Sequence, residues 1–133
     1  MSRTIFVNLP VKSIPTSREF FTRLGFGFNP KFSDDKALCM VIADNIFVML
    51  LEEGFFRTFI NGEVSDAHQT TEVLTCLSAS SKREVQELVR KALDAGGKPW
   101  KEPIAQDGMY GHSFQDPDGH VWEIMHMDPV EEQ

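Results

Sequence analysis

The chain has 133 residues, 41% of them apolar, and a formal net charge of −7 at neutral pH. That is enough hydrocarbon for one hydrophobic core, while the negative field opposes a phosphate backbone or an anionic membrane, and Lys and Arg are scattered singly apart from Lys82-Arg83. Nucleic acid and membrane are excluded as expected partners; with no signal-peptide core in "MSRTIFVNLP" and no apolar run of bilayer length, the expected location is cytoplasmic.

In chain order, "TIFVNLPV" (4–11) is rich in branched and aromatic residues and predicts a strand. "PTSREFFTRLGF" predicts a helix, with Thr16 three residues before Glu19 as a capping box and Gly25 as the stop. Three strands follow at 27–32, 37–43 and 46–52, the last two joined by Asp44-Asn45, a pair that tolerates the positive φ of a two-residue hairpin. The stretch 54–70 places Phe55 and Phe59, with Phe56 and Ile60, at helical spacing. It reads either as packing on its own sheet or a partner subunit, or as a lid; its polar later half, with His68, reads as a surface loop.

The order then returns. "EVLTCLSA" (72–79) predicts a strand, and Ser81 with Glu84 a second capping box. Val85, Leu88, Val89, Ala92 and Leu93 fall on one helical face that ends at Gly96-Gly97. A short strand at 98–101 and strands at 109–115 and 120–127 complete the repeat, with Asp118-Gly119 as the last hairpin turn. Counting from the two turns makes Met49 and Glu123 equivalent. Alternation along the last strand puts Glu123 on one face with Val121 and Met125, and His120 and His126 on the other. The two cysteines, Cys39 and Cys76, lie in apolar runs outside any metal-ligand spacing and are expected to be buried thiols.

Taken together, "VNLPVKSIPTSREFFTRLGFGF", "DNIFVMLLEE" and "MYGHSFQDPDGHVWEIMHMDP" resemble the vicinal oxygen chelate superfamily. That superfamily includes glyoxalase I, extradiol dioxygenases, fosfomycin-resistance enzymes and bleomycin-binding proteins; the chain is most similar to its bacterial lactoylglutathione lyase-like group. The resemblance implies an α+β fold in which two βαβββ modules form a curved mixed sheet around a cleft. It also implies one domain over 1–133, made of a module at 3–52, a connecting segment at 53–70 and a module at 71–128, and a homodimer.

Metal-using members place a ligand on the first and last strand of each module. Carried over, those places fall at Phe6, Met49, Leu74 and Glu123, with Glu72 as an alternative register for Leu74. Only Glu123 is a hard donor, and Lewis-acid polarisation of a substrate's oxygens needs more than one carboxylate to hold the ion. The implied cleft wall is mostly apolar: Phe6, Asn8, Phe47, Met49 and Leu51 from the first module, Leu74, Cys76, Glu123 and Met125 from the second. Tyr110 and His112 stand at its rim.

The leading expectation is capture of a small organic ligand without a metal cofactor. Glu123 orients a cationic or hydroxyl group there, and as a buried carboxylate with no metal beside it is the candidate catalytic proton carrier. Three other readings stand beside it: a lyase or dioxygenase holding a divalent metal at Glu123 with His112 or Glu72, an interaction protein using the Phe-rich segment 55–60, and a cleft closed by core packing.

Overall fold

The computed structural model describes residues 3–128. The chain divides into two compact units, the first running to Asp66 and the second beginning at Ala67. No helix among the described residues is long and apolar enough to cross a membrane.

In the first unit, β1 (Ile5–Val11) leads into α1 (Ile14–Leu24). The helix starts earlier than the Thr16 box predicts. Ser13 is the cap, its Oγ accepting the Thr16 N–H at 3.2 Å, and Pro15 sits in the first turn, where the missing N–H has no cost. Gly25 stops the helix as expected, at φ 102°. Ile14, Ser17, Phe20, Phe21 and Leu24 form the buried stripe; full burial of each Phe stabilises by about 1.5–3 kcal/mol.

The strand expected over 27–32 is confined to β2 (Gly27–Phe28). Pro30 has no N–H for a ladder, and the Asn29 side chain accepts the Lys31 N–H at 3.0 Å, turning Pro30–Phe32 into a single 3-10 turn. β3 (Ala37–Ala43) and β4 (Ile46–Glu52) match their predicted bounds. Their Asp44-Asn45 turn has no positive φ; a register shift between Val41 and Ala43 instead supplies the twist. The sheet order is β1-β4-β3-β2, with β1 parallel to β4. α2 (Glu53–Arg57) follows, capped by the Glu52 carboxylate on the Phe55 N–H, and packs against β1 and β4.

In the second unit, β5 (Leu74–Ser78) precedes α3 (Lys82–Asp94). Ser81 Oγ accepts the Glu84 N–H at 3.0 Å, as the capping box predicts, but the reciprocal arm reaches back to the Ser80 N–H at 3.0 Å. Val85, Val89 and Ala92 are buried; Leu93 lies off the seam.

The expected strand at 98–101 is shorter, β6 (Lys98–Pro99), and the sequence reading missed β7 (Ile104–Gln106). β7 turns into β8 (Met109–Gln115) through Asp107-Gly108, at φ 52° and 75°, the positive pair of a type I′ hairpin. β9 (Val121–Met127) closes a sheet of order β5-β9-β8-β6, with β7 on β8 and β5 parallel to β9. Two mixed sheets, one per unit, therefore repeat the same parallel pairing of first and last strands.

The β8–β9 connection is longer than a two-residue turn. It runs from Asp116 to His120, because Asp116 is buried and organises it: its Oδ1 accepts the Asp118 N–H at 2.9 Å and the His120 N–H at 3.0 Å, and its Oδ2 accepts the Trp122 indole N–H at 3.0 Å. Burial pushes this carboxyl above its ordinary range, opposed by His120 and the Trp122 hydrogen bond. Gly119, at φ 87°, lies where a Cβ would come within 2.7 Å of the His68 backbone nitrogen.

Candidate functional site

Each sheet buries one face under its helix and leaves a second face, and the register decides which side chains share it. In the first unit, Arg18 of α1 lies over the Phe28 ring, and Phe28 pairs with Met40, so the buried face carries Met40, Leu38, Val48 and Leu50. Side chains of neighbouring parity point the other way. There Phe6 pairs with Phe47 and Asn8 with Met49. The two rings stack with centroids 5.1 Å apart and planes 14° apart, although Phe6 remains 51% exposed. Asn8 donates its side-chain N–H to the Phe6 carbonyl at 3.2 Å, which leaves its side-chain oxygen available. Phe6, Asn8, Phe47 and Met49 therefore share one face, and Leu51, which is buried, has the same parity.

In the second unit the helix side is marked by Lys82 of α3, whose ammonium sits 4.9 Å from the Tyr110 ring centroid. Trp122, Ile124 and Phe114 are buried on that side. The other face carries Leu74, Cys76, Glu123 and Met125 together, with Cys76 directly beside Glu123 across the parallel pair. Leu74 is 53% exposed and Glu123 half-buried.

Tyr110 and His112 are not with them. Ser113 is the residue opposite Glu123, and Gly111 is opposite Met125; His112 pairs with Ile124 and Tyr110 with His126, on the helix side. A one-residue step on a strand reverses the face, so His112 cannot join Glu123 from this position. His126 is on the helix side as expected, with its Nδ1 3.0 Å from the Ala79 carbonyl. Glu72 precedes β5 and has no partner in register with β9.

Sequence reasoning missed Ser113 and Gly111. Counting parity back from the Gln115–Val121 pair that closes the connection would have found both. Gly111 lies against Met125: a Cβ there would meet Met125 Sδ at 2.6 Å, so the thioether lies over the glycine.

Cys39 is buried, as expected, and burial pushes its thiol up. Cys76 is exposed rather than buried, because β5 is the edge strand and the face it shares with Glu123 is not under α3. Partial desolvation and then the Glu123 charge raise its thiol pKa. The group stays a neutral thiol at neutral pH, which is the wrong form for a nucleophile.

The model of the glyoxalase/bleomycin resistance protein/dioxygenase superfamily matches residues 4–124. The chain belongs to that superfamily. Among solved structures, the hypothetical protein SA1046 from S. aureus is similar at 29% identity, with a TM-score of 0.80, over 95% of this chain and 94% of that one. A glyoxalase/bleomycin resistance protein/dioxygenase family enzyme from Burkholderia phytofirmans PsJN is 16% identical, with a TM-score of 0.78, over 96% of this chain and 100% of its own. The fosfomycin resistance protein FosX from Listeria monocytogenes, in complex with Mn(II) and sulfate, is 18% identical, with a TM-score of 0.70, over 96% and 92%. The last two likenesses establish the fold alone. No protein of curated function matches the chain.

Among the described residues, this superfamily member gathers no donor set for such an ion. At the positions carried over from metal-using relatives stand Phe6, Met49 and Leu74, whose side chains offer two hydrocarbons and a thioether. Glu123 is the one carboxylate, and among the described residues no three His, Cys, Asp or Glu side chains gather where they could hold a metal.

Proposed function

We propose that this superfamily member binds a small organic ligand on the apolar sheet faces that carry the family's site positions, without a divalent metal. The observation that supports this reading is the substitution of hydrocarbon and thioether for ligands at Phe6, Met49 and Leu74, on faces that remain partly exposed. Recognition then comes from shape and apolar contact. The stacked Phe6–Phe47 pair offers a flat aromatic platform in the first unit, and Glu123 is the polar anchor in the second. The same reading places the protein in the cytoplasm as a homodimer; a monomer by light scattering removes the dimer from it.

The test is a thermal-shift and fluorescence screen of aromatic and amphipathic small molecules against the purified protein, alongside elemental analysis for Mn, Fe, Ni and Zn. Saturable binding by metal-free protein, weakened by Phe47→Ala, supports the proposal. Stoichiometric metal that survives purification and is lost in Glu123→Gln overturns it in favour of a metal-dependent lyase or dioxygenase.

A further inference from the structure

The residues in register with Glu123 on either side, Cys76 and Ser113, carry no charge that balances its carboxylate. The residues that share its face on β5, β8 and β9, set by the register, include no Lys, Arg or His. Among the described residues no hydrogen bond or ion pair engages its side chain, and the neighbouring Cys76 is kept a neutral thiol by partial burial and then by the Glu123 charge. Lys82 and His126 belong to the helix side, and Lys98, beside Gln115 on β6, shares the Glu123 face two strands away without forming an ion pair with it.

The surroundings of this carboxylate are apolar and shaped. Leu74 lies on the adjacent strand and is half exposed, Val121 is buried two residues along β9, and the Met125 thioether is laid across Gly111. A half-buried anion in such a place gains from a cation that brings its own hydrocarbon, since each part of that ligand finds its match and the charge is no longer facing an apolar surface alone. A neutral isostere finds only the contact. An anion meets repulsion from Glu123, and from a chain of net charge −7.

Resting on the proposed ligand-binding reading, we infer that the Glu123 face of the second unit selects organic cations: an ammonium, amidinium or guanidinium group carried on an aromatic or alkyl body. The carboxylate that metal-using relatives give to an ion serves here as the counter-charge for the ligand itself.

Three probes of one shape separate the possibilities: 4-phenylbutylammonium, 4-phenylbutan-1-ol and 4-phenylbutanoate, titrated by calorimetry into the full chain. The ammonium is expected to bind at least about tenfold more tightly than the alcohol, the value of a charge-assisted hydrogen bond in a partly desolvated place. The preference should weaken with added salt. In Glu123→Gln, checked for an unchanged melting temperature, ammonium and alcohol should bind alike. Cys76→Lys supplies an internal cation beside Glu123 and should erase the preference by a second route, so a folding failure of one variant leaves the other to decide. Equal binding of ammonium and alcohol by the wild-type chain overturns the cation selection and leaves small-ligand binding standing. Failure of all three probes to bind overturns both.

Discussion

Asp116 and Trp122 form a buried pair across the β8–β9 connection, the indole N–H donating to the Asp116 carboxylate at 3.0 Å while two backbone N–H groups occupy its other oxygen. Asp116→Ala strands all three donors. We expect a loss of about 1–3 kcal/mol per buried donor left without a partner, moderated by water entry, read as a lower urea midpoint. Asp116→Asn keeps an acceptor for the backbone groups and turns a donor toward Trp122, so it should cost less than Asp116→Ala.

The same residue gives a pH signature. Burial raises its folded pKa above the ordinary 3.8, so the folded chain holds a proton where the unfolded chain has released it. Its contribution to stability is complete below about 3.8 and is lost as pH rises through the folded value. Urea titrations of wild type and Asp116→Asn from pH 3.5 upward should show the stability gap between them shrinking with pH, then levelling. A gap that widens over that window contradicts the assignment.

Gly119→Ala and Gly25→Ala make a matched comparison. Both glycines have positive φ, which costs roughly 1–2 kcal/mol for a residue with a Cβ. Space around Gly25 is open, whereas a Cβ at Gly119 meets the His68 backbone nitrogen at 2.7 Å. Gly119→Ala should therefore destabilise clearly more than Gly25→Ala by denaturant midpoint.

Ser13→Ala should cost about 1 kcal/mol by removing the cap of α1. Thr16→Ala should cost little, because Thr16 contributes its backbone N–H and not a capping side chain. Thermal melts of the two variants check this directly.

Prolonged EDTA dialysis should leave ligand affinity and melting temperature unchanged, and added Mn(II), Ni(II) or Zn(II) should give no stabilisation that depends on Glu123. Calorimetry before and after dialysis is the measurement.

Most of the scaffold was legible because it depends on local chemistry. The period of β3, β4, β8 and β9 marks them plainly, Gly25 and Ser81 mark helix ends, and Leu74, Cys76, Glu123 and Met125 follow from alternation once the last strand is placed. What escaped depends on competition or on long-range register. Asn29-Pro30 reads as strand until the Asn side chain is seen to take a backbone N–H. Ser13 outcompetes Thr16 for the cap because Pro15 prefers the first turn. β7 is too short to show a period, although Asp107-Gly108 announced its hairpin. Tyr110 and His112 were misplaced relative to Glu123 because the face of β8 is set by where the Asp116 loop lets pairing begin, a distance that a two-residue turn gets wrong.

The parallel pairing of first and last strand in both halves has one more consequence. Asn8 stands beside Met49 just as Cys76 stands beside Glu123, so the chain contains a duplicated socket furnished in two ways, one without charge and one with it. A substitution made in the charged pair therefore has a built-in control in the corresponding uncharged pair of the same molecule.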